Sequence, residues 1–153
     1  MTDQSKAPIS PEVNFPRRVS QWTICKEFKF AASHVLSHHQ GKCSRLHGHN
    51  WKLRVYIRGN ALSPSGSDTD MLVDFDYLKQ IVGELVDTRL DHQHLNDSIG
   101  TIERVSPTCE VLAFWIYSHL TKKLDLSKTE AKLIAVEIEE TDTSMCRYEE
   151  VPA

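Results

Sequence analysis

No apolar run in this chain of 153 residues approaches the roughly 20 needed to span a bilayer. Met1 to Ser10 is polar and lacks the apolar centre of a secretory leader. A membrane is therefore not an expected partner, and a cytoplasmic location is the default expectation. Cysteine is scarce: Cys25, Cys43, Cys109 and Cys146 form no CxxC pair, which excludes a dense disulfide framework and leaves four expected free thiols. Cys25, Cys109 and Cys146 read as small buried hydrophobes. Basic charge is not in excess, with 18 Lys and Arg against 21 Asp and Glu and a net charge of -3. That balance gives no electrostatic reason to expect nucleic acid, although a local anion site stays open. Internal repeats and low-complexity segments are absent too. What is left, 40% hydrophobic and 25% charged, is an ordinary soluble composition at a length that suits one domain.

Residues 1–20 read as a tail, because Pro8, Pro11 and Pro16 interrupt a polar stretch with no amphipathic period. The folded domain is expected over 21–153. Trp22, Ile24, Phe28, Phe30, Ala32 and His34 share one phase of a period-two alternation, which predicts a first strand from Trp22 to about Ser33. His47, His49, Trp51, Leu53, Val55 and Ile57 do the same in a second, from about Gly48 to Arg58. A loop carrying His38, His39, Gly41 and Lys42 joins them, and Gly59, Pro64, Ser65 and Gly66 mark a turn-rich connection. Phe75, Leu78, Val82 and Leu85 then recur at helical spacing, with Asp74 and Asp76 suited to the helix start. This helix is expected to end before Leu90-Asp91-His92. A second helix opens with Ser106 as cap and Pro107 at the first helical position. Leu112, Trp115, Ile116 and Leu120 form its buried stripe, and Lys122 and Lys123 fall in its last turn. Ile134, Val136 and Ile138 alternate as a third strand, and a shorter one follows around Cys146 to Val151. The order ββααββ predicts an α+β layer structure, with antiparallel strands and both helices on one face.

Three histidines continue the apolar rows of the first two strands. Residues two apart on a strand project from one face, so His47 and His49 can meet one ion with Gly48 between them, and His34 is in phase to join. An HxH pair alone is more often a surface or core feature than a ligand pair; the third histidine and Cys43 shift that balance toward a metal. Cys43, four residues before His47, has two readings. As a fourth ligand it closes the tetrahedron of a structural zinc. As a neighbour of the metal, its thiolate removes a proton from a bound substrate. Asp91-His92 is either loop chemistry at a helix stop or an acid/base unit in which the carboxylate supports the imidazole. His94 receives no assigned function. Glu140 shares the phase of Ile134, Val136 and Ile138, where it either sits in water past the strand end or accepts a ligand's N–H groups. Glu137 and Glu139 occupy the other phase and are expected to be solvated.

The segments Phe30-Ala31-Ala32-Ser33-His34, Cys43-Ser44-Arg45-Leu46-His47-Gly48-His49, Val73-Asp74-Phe75, Leu90-Asp91-His92-Gln93-His94-Leu95-Asn96, Pro107-Thr108-Cys109-Glu110 and Glu139-Glu140-Thr141 together resemble the 6-pyruvoyltetrahydropterin synthase superfamily. They are most similar to its 6-carboxy-5,6,7,8-tetrahydropterin synthase branch, in queuosine biosynthesis. The resemblance runs from about Trp22 to Tyr148. Cys109, where that branch often has serine, and the short loop between His34 and Cys43 depart from the pattern.

The resemblance implies the tunnelling fold, a four-stranded antiparallel sheet with two helices on one side. In that fold three subunits join sheets, two trimers stack into a homohexamer, and active sites lie at subunit interfaces. It implies that His34, His47 and His49 bind Zn2+, that Cys43 is the catalytic base, and that Asp91 and His92 form its acid/base partner. Glu140 corresponds to the glutamate that anchors the pterin ring, and Thr108 lies in a segment that helps hold it. The implied reaction is a lyase reaction that turns 7,8-dihydroneopterin triphosphate into 6-carboxy-5,6,7,8-tetrahydropterin, with loss of triphosphate and acetaldehyde. Two rivals are a 6-pyruvoyltetrahydropterin synthase, which keeps the side-chain carbons, and a non-catalytic zinc-stabilised binding module.

Overall fold

The structure is a computed structural model that describes residues 21–99 and 106–151. The tail expected over residues 1–20 lies outside the described residues. Two long strands, β1 (Trp22–His34) and β2 (His47–Gly59), pair antiparallel along their whole length. The expected alternation sorts their side chains: Phe30, Ala32 and His34 are buried in β1, as are Trp51, Leu53, Val55 and Ile57 in β2. The register sets His47 opposite His34 and His49 opposite Ala32. It is tight at this end, since a Cβ at Gly48 would come within 3.1 Å of the Ala32 carbonyl oxygen.

Helix α1 (Phe75–Leu85) starts where expected, with the Asp74 carboxylate accepting the Asp76 N–H at 2.8 Å as an N-cap. Leu78, Val82 and Leu85 point into the core, whereas Phe75 is exposed. The helix widens into a π turn over Val86–Leu90, closed by the Asp91 N–H on the Val86 carbonyl. A two-residue strand β3 (Gln93–His94) and a single turn α2 (Leu95–Ser98) follow. Helix α3 (Cys109–Lys123) begins later than expected: Thr108, not Ser106, is its N-cap, accepting the Val111 N–H at 3.3 Å. The backbone at Thr108 is still extended, so Pro107 stays outside the helix, and the Ser106 hydroxyl accepts the Ser37 N–H instead. Leu112, Ile116 and Leu120 are fully buried, Trp115 is half-buried, and Lys122 and Lys123 occupy the last turn as expected.

Strands β4 (Lys132–Thr141) and β5 (Ser144–Tyr148) complete a sheet of order β3-β1-β2-β4-β5. The expected sheet of four antiparallel strands is therefore corrected to a mixed sheet of five, because β3 runs parallel to β1 through Ala32↔Gln93 and Ser33↔His94. The chain leaving the π turn lies along the open edge of β1, where the His92 N–H donates to the Ala31 carbonyl at 2.6 Å. A second correction concerns Ile134. Tyr56 pairs with Ala135 and Ile57 with Leu133, so Ile134 has no opposite and β4 bulges there. Leu133, Val136 and Ile138 take the core positions of β4.

Both long helices and the Trp51–Ile57 face share one apolar cluster. The other sheet face carries charge, and this corrects the expectation for Glu137 and Glu139. Glu139 is only 6% exposed. It accepts from Lys52 Nζ at 2.5 Å and from Arg54 at 2.9 Å, while Glu137 accepts from the same guanidinium at 2.8 Å. These donors hold the Glu139 carboxyl below the usual carboxylate range, Lys52 contributing most and Arg54 next. Cys25 faces this side and is exposed rather than buried, while Cys109 and Cys146 are half-buried.

Candidate metal centre

The apolar rows of β1 and β2 end in imidazoles. His34 is fully buried against Trp51, with ring centroids 5.1 Å apart. The ligand atoms of His34, His47 and His49 lie within 4.8 Å of one another. Hydrogen bonds orient two of the rings: His34 Nδ1 donates to the Pro107 carbonyl at 2.8 Å, and His47 Nδ1 to the Arg45 carbonyl at 2.8 Å. A nitrogen facing a carbonyl at that distance carries the proton, so the Nε2 atoms of these two rings are bare lone pairs. Such outward partners are how metal-binding histidines are held in one tautomer. Nε2 of His34 and Nε2 of His49 are buried with no hydrogen-bond partner. Leaving buried polar atoms unsatisfied is costly. Burial also pushes both imidazoles below the ordinary histidine range, toward the neutral form that binds a metal. Three imidazoles converging on one point fit a divalent ion of the zinc type.

Cys43 sits on a 3₁₀ turn (Lys42–Ser44) at the mouth of β2, half-buried and outside the group of three converging ligand atoms. Its carbonyl accepts the Leu36 N–H at 2.9 Å, which closes the loop between His34 and His47. Cys109 is a different kind of thiol, pushed up to about 12 by burial and then by the Glu140 and Glu110 carboxylates.

Asp91 and His92 form a hydrogen-bonded pair, His92 Nδ1 lying 2.8 Å from Asp91 Oδ2. Asp91 Oδ1 accepts the Ala31 N–H at 2.8 Å, so the carboxylate is fixed to β1. The Ala31 N–H and then His92 hold its carboxyl below the usual range. The His92 side chain is 82% exposed and its backbone is left-handed, with φ of 56°. His92 and His94 line an open hollow of about 630 Å³ together with Ser33, Gly48, His49 and Asn50.

Glu140 is brought to the histidines, as its phase in β4 implied. Its Oε1 lies 3.5 Å from His34 Nε2 and 3.7 Å from His49 Nε2. Thr108 is engaged as the α3 cap, one residue beyond the carbonyl that holds His34. Sequence reasoning missed Asn96. Its side chain accepts from the Val35 N–H at 2.8 Å and donates to the Val35 carbonyl at 2.9 Å, locking the backbone just after His34. An Asn in the turn after a chemistry-bearing segment was the available signal. The Ser33 hydroxyl also lies 3.2 Å from His94 Nδ1, which gives His94 a packing partner.

Comparison with known proteins bears on the family and the fold. The family described as 6-pyruvoyl tetrahydropterin synthase matches residues 23–151. A Synechocystis protein named 6-carboxy-5,6,7,8-tetrahydropterin synthase is 46% identical over 127 residues, covering 83% of this chain and 92% of its own. A Haemophilus influenzae protein of the same name is 35% identical over 146 residues, covering 83% and 98%. Among solved structures, the 6-pyruvoyl tetrahydropterin synthase of Caenorhabditis elegans superposes with a TM-score of 0.70 at 24% identity, over 88% of this chain and 99% of that one. At that identity the likeness is one of fold.

Proposed function

The chain belongs to the 6-pyruvoyl tetrahydropterin synthase family, and from that premise we propose that it is a zinc-dependent 6-carboxy-5,6,7,8-tetrahydropterin synthase of queuosine biosynthesis. Its substrate is 7,8-dihydroneopterin triphosphate, and it releases acetaldehyde and triphosphate. The observation that carries this reading is the pair of buried imidazole nitrogens, on His34 and His49, that have no hydrogen-bond partner. The names carried by the Synechocystis and Haemophilus influenzae relatives, at 46% and 35% identity, support the carboxy product over the pyruvoyl one.

When bound at His34, His47 and His49, zinc supplies a Lewis acid that makes protons beside a coordinated oxygen more acidic. The remaining work belongs to side chains of the protein. Cys43, as thiolate, removes a proton from the substrate side chain. His92 carries protons on the other side, oriented by the Asp91 carboxylate, which the Ala31 N–H holds in place. Glu140 accepts the ring and amino N–H groups of the pterin, and the segment at Thr108 helps hold the ring. Active sites then form where chains meet, in a homohexamer of two stacked trimers. The edge strand β5 supports that assembly, since sheet edges closed between copies are no longer open to stray pairing.

The test is incubation of the zinc-loaded protein with 7,8-dihydroneopterin triphosphate, followed by mass analysis of the products. The 6-carboxy product with one acetaldehyde per turnover is expected. A product that retains the side-chain carbons would make the chain a pyruvoyl synthase, and no pterin product would leave a zinc-stabilised binding module.

A further inference from the structure

The contact between Glu140 and the histidines is chemically incomplete. Oε1 of a carboxylate is an acceptor, and it stands 3.5 Å from His34 Nε2 and 3.7 Å from His49 Nε2. The His34 proton is already committed to the Pro107 carbonyl through Nδ1. Its Nε2 therefore presents a lone pair to another lone pair. Both Nε2 atoms lack a hydrogen-bond partner despite the neighbouring carboxylate. Acceptors facing each other in a buried pocket repel unless a cation lies among them.

The spacing is that of a coordination edge rather than of a hydrogen bond. Ligands about 2.0–2.2 Å from a tetrahedral ion stand about 3.3–3.6 Å from one another. Two of the edges from Glu140 are close to that range. The histidines alone have all three ligand atoms within 4.8 Å of one another. Glu140 thus approaches the group from the His34 and His49 side, on a side chain still 26% exposed.

We infer that Glu140 is a shared carboxylate: it occupies the fourth position of the metal in the resting chain and leaves it to accept the pterin N–H groups when substrate binds. This rests on the pterin reading of the site. It makes binding of the ring and opening of the metal one event, so that a coordination position is exposed only when a substrate stands ready to use it.

Cobalt(II), whose visible absorption reports coordination, tests this in the full-length chain stripped of metal and reloaded. The expected wild-type spectrum is four-coordinate and changes when 7,8-dihydroneopterin, the substrate without its triphosphate, is added. Glu140→Ala should alter the cobalt spectrum before any pterin is added and abolish the pterin-induced change. It should also weaken zinc by at least roughly 10-fold in chelator competition, the lower end of what losing even an outer-shell partner costs. Glu140→Gln, which keeps the volume, guards against a folding defect and should show the same loss of response. Identical cobalt spectra and zinc affinities in wild type and both variants would overturn the inference while leaving the metal centre standing. Failure of the wild type to bind either metal would overturn both. A pterin that binds without moving the wild-type cobalt spectrum would overturn the sharing alone.

Discussion

At one end of the helix-covered face of the sheet, His34 and His49 each present a buried Nε2 with no hydrogen-bond partner. On the opposite face, Glu27, Glu137 and Glu139 converge on the single guanidinium of Arg54, and Lys52 takes a further oxygen of Glu139. The two faces are built from the same strands and from alternate residues of them. Their polar groups nonetheless have opposite status: satisfied and neutralised on one side, left open on the other. A protein that can pair five charged side chains across three strands has no difficulty satisfying two imidazoles. The open end of the apolar row is therefore suited to take a ligand, while the charged face is internally paired.

Removal of a histidine separates the faces most sharply. His34→Ala should lower zinc affinity beyond the roughly 10–100-fold that loss of a supporting partner costs, and turnover with it. Zinc content of the purified protein reads the first effect, and retention of metal would sink the site. Next comes Cys43→Ala, which should cut turnover roughly 10²–10⁴-fold, the contribution of a positioned base, with zinc content unchanged. Loss of zinc in this variant would return Cys43 to the role of ligand. For the apolar row itself, Leu53→Ala should destabilise the fold by about 2–5 kcal/mol in denaturant unfolding, since Leu53 is fully buried.

The charged face should respond differently. Arg54→Ala leaves Glu137 and Glu139 without their shared partner, and the melting temperature should fall by several degrees. Adding Glu137→Gln to that variant should recover part of the loss. Among the described residues Glu137 then keeps only Arg147 as a charged partner, at 3.9 Å, and the poorly compensated charge, not the missing bond, does most of the damage. A double variant less stable than the single one would show the carboxylate to be harmless alone. The smallest effect is in acid. Glu139 and Asp91 have depressed carboxyl values in the fold, so the folded state binds fewer protons than the unfolded one around the ordinary carboxylate range. Their contribution is complete above roughly pH 4.5 and is lost as pH falls through the folded values. Glu139→Gln should flatten that acid limb of stability against pH, and an unchanged slope would place the acid sensitivity elsewhere.

Much of this was legible in the residues because alternation is a local signal. The rows ending in His34, His47 and His49, the Asp74 cap and the buried stripe of α3 all follow from spacing within one segment. What escaped depends on partners far along the chain. Glu139 reads as solvated because nothing near it announces Arg54 and Lys52, which lie across a strand boundary more than 80 residues earlier. The short strand Gln93–His94 has no period to detect, and its pairing comes from the position of the β1 edge. The cap of α3 slipped from Ser106 to Thr108 because both residues are good caps, and the choice lies with the Pro107 carbonyl, which is held by His34. The exposure of Cys25 has the same origin: its phase in β1 is plain, but the charged face it joins is assembled from three strands.

The bulge at Ile134 is, in the end, a matter of counting. Before it, odd-numbered residues of β4 face the helices, as Leu133 does; after it, even-numbered ones do, as Val136 and Ile138 do. Glu140 reaches the histidines because it is even. Pairing Ile134 into the ladder opposite Tyr56, with no bulge, would move every later residue of β4 one place along β2. Held in register at Leu133, that unbulged strand would send the carboxylate of Glu140 to the charged face and Glu139 to the metal end, whereas deleting Ile134 removes only the surplus residue and leaves Glu140 facing the histidines. A single supernumerary residue, six places before Glu140, decides which glutamate stands beside His34 and His49.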